Sequence, residues 1–188
     1  MYSLLLFLHS LFRWLVVFSL LYAILRARRG LRSYKRLQSQ GEEGAIGAGR
    51  SAGTEQSAGG PQAGRVFTKT DDAIRHWTAT ISHIQLMLGC VLYFISPVIR
   101  LFYSSDRAAM ARTAAHRELT FFGVIHISLM LSAIVVITIG SALAKRRENS
   151  RDKFATMLKW FSIAGILILM AIPWPWSPLA SRPLFRTF

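Results

Sequence analysis

Four long apolar stretches constrain this chain more than any other feature. They run from about Leu4 to Leu25, Trp77 to Ile99, Leu119 to Ala144 and Phe154 to Ile172. Each supplies the roughly 20 residues that an α-helix needs to cross a hydrocarbon layer of about 30 Å. We therefore expect an all-α polytopic membrane protein, a single domain built as an antiparallel bundle of four transmembrane helices.

Composition excludes most soluble classes. Only 17% of the 188 residues are charged, whereas a typical globular domain has about 25%. The net charge of +14 is compatible with a nucleic-acid binder, but apolar blocks of this length are not. We expect no nucleic-acid partner, and we assign the basic excess to membrane lipids with anionic headgroups. The single cysteine, Cys90, excludes an intrachain disulfide and a cysteine-rich metal cluster.

The basic residues predict how the chain is oriented. Sixteen of the 23 flank the first-to-second and third-to-fourth connections, and only six flank the other ends of the helices. The positive-inside rule then places both termini outside and these two connections in the cytoplasm. The first connection includes a Gly-, Ala- and Ser-rich segment from Gly41 to Arg65, which has too few apolar residues to fold and is predicted to be a flexible loop.

Four ionisable residues lie well inside the apolar stretches, namely His9, Arg13, His83 and His126; Lys159 lies near the start of the fourth stretch, and all nine acidic residues lie outside the stretches. Ionisable side chains are costly in a membrane interior, so each is a functional hypothesis. The alternative to a functional role, for a histidine, is a structural hydrogen bond to a neighbouring hydroxyl or carbonyl group. For Arg13 the alternative is snorkelling towards the membrane surface.

Two of these histidines are predicted to lie at the same depth. His9 lies seventeen residues before Arg26, and His126 lies nineteen before Lys145, which puts both roughly 25 to 28 Å above the cytoplasmic boundary at the helical rise. Two neutral imidazoles that face each other are the axial ligands that a non-covalent haem b requires. Gly123, three residues before His126, would leave space for the flat macrocycle.

Arg13 follows His9 by one helical turn and needs an anion. A haem propionate, a lipid phosphate or a carboxylate of a partner subunit would each serve. His83 stands alone in the inner half of its helix, on a stripe with Thr80 and Met87. That stripe suits a quinone site, a proton relay or a metal-ion site, or simple helix packing.

Several strings resemble a known group of proteins. LHSLFRW, SHIQLMLGCVLYFISP, FFGVIH and IPWPW are similar to segments of small four-helix bacterial inner-membrane proteins labelled cytochrome b or cytochrome b-like. The resemblance covers nearly the whole chain except the segment from Gly41 to Arg65. It implies a bound haem and a bacterial inner membrane. The group usually has an acid directly before the third-helix histidine, where this chain has Ile125.

These features favour a b-type cytochrome-like membrane electron carrier with a bis-histidine haem in the outer half of the bundle. The alternative is a cofactor-free accessory subunit of a respiratory or transport complex, and a quinone remains a further cofactor hypothesis. No Cys-x-x-Cys-His motif, nucleophile with an adjacent base, or phosphate loop occurs, so an electron-transfer protein or subunit is favoured over a stand-alone enzyme. Partner membrane subunits or redox proteins are expected.

Overall fold

The fold is a bundle of long helices. A computed structural model of the chain describes residues 1–48, 64–103 and 115–176. In these ranges no strand occurs, and the elements in chain order are α1 (Tyr2–Ala48), α2 (Lys69–Ile95), α3 (Pro97–Tyr103), α4 (Ala115–Thr120), a π-helical turn (Phe121–Ile125), α5 (His126–Arg146) and α6 (Ser150–Ala171). Four helical segments are long and apolar enough to cross a membrane. The predicted four-helix architecture is therefore confirmed.

The four long helices occupy the corners of a square. Helix α1 packs against α2 and α6, and α5 packs against the same two helices. Helices α1 and α5 consequently lie on a diagonal. Small residues permit close approach of the neighbours, since a side chain at Gly30 would overlap the Phe154 ring and one at Gly140 would overlap Trp160. The apolar core comprises Val16, Leu20, Ala23, Ala133, Ile137, Met157, Phe161, Ala164 and Ile168.

The first helix is longer than its apolar stretch. The apolar stretch ends near Leu25, but α1 continues to Ala48. The helix therefore enters the segment from Gly41 to Arg65, which we predicted to be a flexible loop. The helix persists because residues 26–40 are mostly Arg, Lys, Leu and Gln, which all favour helix. At the other end of that segment, Arg65 is held by an ion pair with Asp71. The rest of the predicted loop lies outside the described residues.

Capping residues and prolines fix the ends of α2 and α6. Thr68 accepts a hydrogen bond from the Asp71 N–H, and the Asp71 carboxylate accepts one from the Thr68 N–H, which forms a capping box. Helix α2 ends at Ile95 because Pro97 follows and opens α3. Helix α6 likewise ends at Ala171, two residues before Pro173.

We call the end of the bundle with Arg26 and Asp71 the basic end, and the opposite end with His9 and His126 the histidine end. At the basic end, the Asp71 side chain is only 1% exposed and pairs with Arg26 of α1 and with Arg65. Its second oxygen accepts hydrogen bonds from the Thr68 N–H and hydroxyl group at 2.9 and 2.6 Å. One carboxylate therefore ties α1, α2 and the segment before α2 together.

A second polar contact joins α2 to α5 at the same end. Arg75 is buried and donates to the carbonyl group of Ser141 at 3.0 Å and to its hydroxyl group. Arg75 also pairs with Asp72 at 2.9 Å. Asp72 and His76 also have the i to i+4 spacing that suits a side-chain pair on a helix. The structure instead places the His76 ring edge-on against Trp77.

The outer surface of the bundle is strongly apolar. Large hydrophobic side chains are exposed on all four long helices, where a soluble protein would carry charge. They include Phe7, Leu11, Phe18, Met87, Phe94, Val135, Ile139, Ile166 and Met170. This surface is the one expected of a multi-pass membrane protein whose helices face lipid.

Candidate functional site at the histidine end

A cavity lies inside the histidine end of the bundle. It measures about 160 Å³ and is partly open to the surface. Helices α1, α2 and α5 form its walls, and Pro173 after α6 contributes to its lining. Its lining includes the side chains of His9, Arg13, Gln85, Tyr93, His126 and Met130, together with Tyr2, Ser10, Cys90 and Ser96. Three residues that the sequence singled out therefore meet in one place.

The two histidines face each other across the diagonal of the bundle. The centroids of the His9 and His126 rings are 6.4 Å apart, and the ring planes meet at 68°. A metal ion bound on both sides by imidazole nitrogens at about 2 Å keeps such centroids about 6 Å apart. Among the described residues, helices α1 and α5 make few other contacts with each other. The separation of the two rings is therefore compatible with a metal ion between them.

His126 is held in an orientation that suits a ligand. Its Nδ1 lies 2.8 Å from the carbonyl oxygen of Ala171 at the end of α6, so Nδ1 carries the proton and donates it. The neutral ring then presents an unprotonated Nε2. A backbone carbonyl on the remote ring nitrogen is the usual outer-shell partner of a metal-bound histidine.

The π-helical turn directly precedes His126. The His126 N–H bonds to the carbonyl oxygen of Phe121, five residues earlier, and so one extra residue is accommodated before α5 begins. Single π-turns inside α-helices are frequent at functional sites. The rings of Phe121 and Phe122 lie 5.9 and 5.8 Å from the His126 ring, so apolar surfaces surround the imidazole.

Gln85 is the main residue that sequence reasoning missed. It is 2% exposed, and its Nε2 lies 3.1 Å from His9 Nδ1 and 3.0 Å from the His9 carbonyl oxygen. The amide nitrogen also lies 3.3 Å from His9 Nε2, so it donates to whichever ring nitrogen of neutral His9 carries no proton. Among the described residues, the Gln85 Oε1 is buried without a hydrogen-bond partner. The sequence feature that could have identified Gln85 is its position within an apolar helix, two residues after His83.

Helix α2 also supplies a small residue against His9. Gly89 lies one turn after Gln85, and a Cβ atom built on it would lie 3.3 Å from the His9 Cε1. On α1, Arg13 lies one turn after His9 and lines the same cavity. Its guanidinium group lies 5.6 Å from the centroid of the Trp14 ring. The cavity wall therefore carries one positive charge beside the two imidazoles.

Two predicted site residues lie elsewhere. His83 is on the exposed side of α2, where its Nε2 lies 3.2 Å from the Thr138 hydroxyl group and its Nδ1 lies 2.7 Å from the Ala79 carbonyl oxygen. Gly123 is buried, but a Cβ atom there would meet the Phe102 ring at 2.9 Å. The π-turn between Gly123 and His126 changes the helical phase, so a spacing of three residues does not place both on one face.

The site has two candidate metal ligands and no acidic residue. Within residues 1–48, 64–103 and 115–176, no group of three or more His, Cys, Asp or Glu side chains is positioned to hold a metal ion. A haem needs only the two axial nitrogens from the protein. A comparison with protein-family models, curated proteins and solved structures finds no match for this chain.

Proposed function

We propose that the chain is a b-type cytochrome-like membrane protein, which transfers electrons through a haem held non-covalently between His9 and His126. The observation that carries this proposal is the separation of 6.4 Å between the two ring centroids. A direct hydrogen bond between the imidazoles is absent from the described contacts, and simple packing does not require two histidines to face each other on opposite corners of a bundle. An iron ion between them accounts for the spacing.

The ring nitrogens of His126 and His9 suit a haem iron. His126 has its Nδ1 proton bonded to the Ala171 carbonyl oxygen, which leaves Nε2 available to iron. His9 offers Nε2 when its proton lies on Nδ1. In either tautomer the Gln85 amide keeps its hydrogen bond to the His9 carbonyl oxygen and lies against the His9 ring. Gln85 is thus a positioning residue for His9.

The cavity around the two histidines also suits haem. A cavity of about 160 Å³ resembles the engineered 150 Å³ cavity that admits benzene, so it accommodates part of a macrocycle that extends through its open side. Arg13 places a positive charge where a propionate would be stabilised. When bound, haem supplies reversible one-electron chemistry. The residues of this chain hold the axial nitrogens, shield them with Phe121 and Phe122, and stabilise negative charge through Arg13.

A quinone ring is the second candidate for the same cavity. The volume matches one six-membered ring, and a proton on His9 Nε2 is one of the two tautomers that the Gln85 contacts allow. His9 then donates a hydrogen bond into the cavity while His126 accepts one. A quinone carbonyl group accepts a hydrogen bond and a quinol hydroxyl group donates one, so a donor and an acceptor in one cavity suit both redox forms. This candidate replaces the earlier assignment of a quinone to His83.

Absorption spectroscopy separates these functions. We expect the purified full-length protein, produced in cells supplied with a haem precursor, to give a reduced-minus-oxidised spectrum of low-spin haem with about one haem per chain. A colourless protein that carries extracted quinone would favour the second candidate. A protein with neither would contradict both and support the accessory-subunit hypothesis.

We also propose that the chain lies in the bacterial inner membrane with its basic end in the cytoplasm and both termini outside. The sixteen-to-six distribution of basic residues supports this orientation. In a Cys90→Ser background, we expect a membrane-impermeant maleimide to label Ser3→Cys in intact spheroplasts. We expect Ser39→Cys, which is exposed on the extension of α1, to react only after permeabilisation. The reverse pattern would invert the topology.

A further inference from the structure

The extension of α1 beyond the apolar span forms a basic cleft with the segment before α2. The cleft measures about 510 Å³, within the range of small-molecule sites. One wall is a face of α1 and the other is formed by Gly64 and Arg65. Its basic residues are Arg29, Arg32, Arg36 and Arg65. We propose that this cleft binds the phosphate headgroup of an anionic phospholipid.

The walls of the cleft are fixed by internal contacts. The Ser33 hydroxyl group accepts a hydrogen bond from the Arg65 N–H at 3.0 Å. The Tyr34 hydroxyl group donates to the Arg65 carbonyl oxygen at 3.0 Å. Gly30, one turn before Tyr34, lies directly against the Phe154 ring. Because both walls are held in place, the cleft exists before any ligand binds, and little ordering entropy is lost on binding.

Charge in the cleft is uncompensated by the described protein. Arg65 is paired with Asp71, but the salt bridges of the described residues include none to Arg29, Arg32 or Arg36. Three guanidinium groups on one helical face repel one another unless an anion lies between them. Arginine binds phosphate oxygens through two parallel hydrogen bonds, so a phosphodiester is the anion that this geometry recognises best.

The position along α1 selects a lipid as the source of that phosphate. Arg29 and Arg32 follow Leu25, the end of the apolar stretch, by four and seven residues. At the helical rise they lie about 6 and 10 Å beyond the hydrocarbon boundary, which is within and just beyond a headgroup layer about 5 to 8 Å thick, and a long arginine side chain reaches back into that layer. Basic pockets at this level of a membrane protein bind anionic lipid headgroups. The proposal is independent of what the histidine end binds.

A charge-matched pair of variants tests the cleft. Arg32→Gln/Arg36→Gln removes two charges that line it, whereas Arg28→Gln/Lys35→Gln removes two from exposed positions of the same helix that do not. The purified full-length protein in neutral detergent is titrated with phosphatidylglycerol, phosphatidylcholine or inorganic phosphate. Bound lipid is counted by native mass spectrometry, and the midpoint of thermal unfolding is recorded.

We expect phosphatidylglycerol to bind and to raise the midpoint, and phosphatidylcholine to do neither. The cleft variant should bind phosphatidylglycerol about tenfold or more weakly, and the control variant within about twofold of the wild type. Equal losses in both variants would show diffuse charge attraction without a site. Inorganic phosphate binding as well as the lipid would overturn the lipid assignment, and binding of neither would overturn the site. Should the double variant fail to fold, Arg36→Gln alone provides the same comparison with Lys35→Gln.

Discussion

We expect His126→Ala and His9→Ala each to abolish the low-spin haem spectrum of the purified protein. Under the proposed function, each substitution would remove one of the two imidazole nitrogens that hold the haem iron, and the remaining imidazole alone would not give a low-spin, six-coordinate iron. Haem content measured after extraction should fall by about tenfold or more, since outer-shell changes alone cost 10- to 100-fold. The measurement is the haem-to-protein ratio together with the reduced-minus-oxidised spectrum.

Two histidines of α2 provide controls for this experiment. His76 is exposed beside Trp77, and His83 bonds to Thr138 outside the cavity. Both alanine variants should keep the full haem content and the same spectrum. Retention of haem in the His9→Ala/His126→Ala double variant would overturn the assignment. Loss of haem in the His83→Ala variant alone would move the site to the other side of α2.

The second large effect concerns stability and Asp71. Its carboxylate is 1% exposed and accepts hydrogen bonds from Thr68, Arg26 and Arg65. Removal of one partner from a buried pair costs about 3 to 5 kcal/mol. The side chains of Arg26 and Arg65 are 23% and 31% exposed, and solvent compensates them in part. We therefore expect Asp71→Asn to lower the free energy of unfolding by about 3 kcal/mol.

Asp72→Asn is the matched control for Asp71→Asn. Asp72 is the next residue, but its side chain is 51% exposed and its described ion pair is to Arg75. Arg75 itself is buried but keeps its hydrogen bonds to Ser141 when Asp72 is replaced, so we expect a loss of about 1 kcal/mol or less from the half-exposed carboxylate. Thermal unfolding followed by tryptophan fluorescence should show a fall in midpoint of about 6 to 12 °C for Asp71→Asn and 4 °C or less for Asp72→Asn. Equal shifts would mean that Asp71 does not join the helices as described.

Hydropathy predicts the number of long helices but not where each one ends. The four apolar stretches correspond to the four candidate spans because a membrane interior requires both apolar side chains and internally bonded backbone. Hydropathy reports the edge of the hydrocarbon layer, however, and α1 continues past that edge to Ala48. Only the helix propensity of the basic segment could have indicated this extension.

The site was predictable where helical rise alone decides it. Counting residues from the basic boundary brought His9 and His126 to one level, and the rings are adjacent in the structure. The same reasoning placed Gly123 on the helix face of His126. The π-turn changes the helical phase between them, and no residue of the turn indicates in the sequence that such a turn will form. Gln85 was not predicted to lie against His9, since the rotation of α2 about its axis follows from packing with α1.

The partnership of Asp71 illustrates a further limit. Its role in opening α2 follows from the local spacing with Thr68. Its two arginines lie 45 residues before it and 6 residues before it. Which of the many basic residues at that end would reach the carboxylate depends on the tertiary arrangement of α1 and the segment before α2. The local spacing therefore accounts for the cap but not for the ion pairs.

The diagonal placement of α1 and α5 has a consequence for the order of events during biosynthesis. His9 belongs to the first of the four described spans in chain order, and its counterpart His126 follows 117 residues later. The carbonyl group that orients His126 comes from Ala171, at the end of the last span. A ligand between the two imidazoles can therefore be captured with full affinity only after the whole bundle has been inserted. Cofactor loading would then be a late, post-translational step, made through the open side of the cavity into a protein already closed at its basic end.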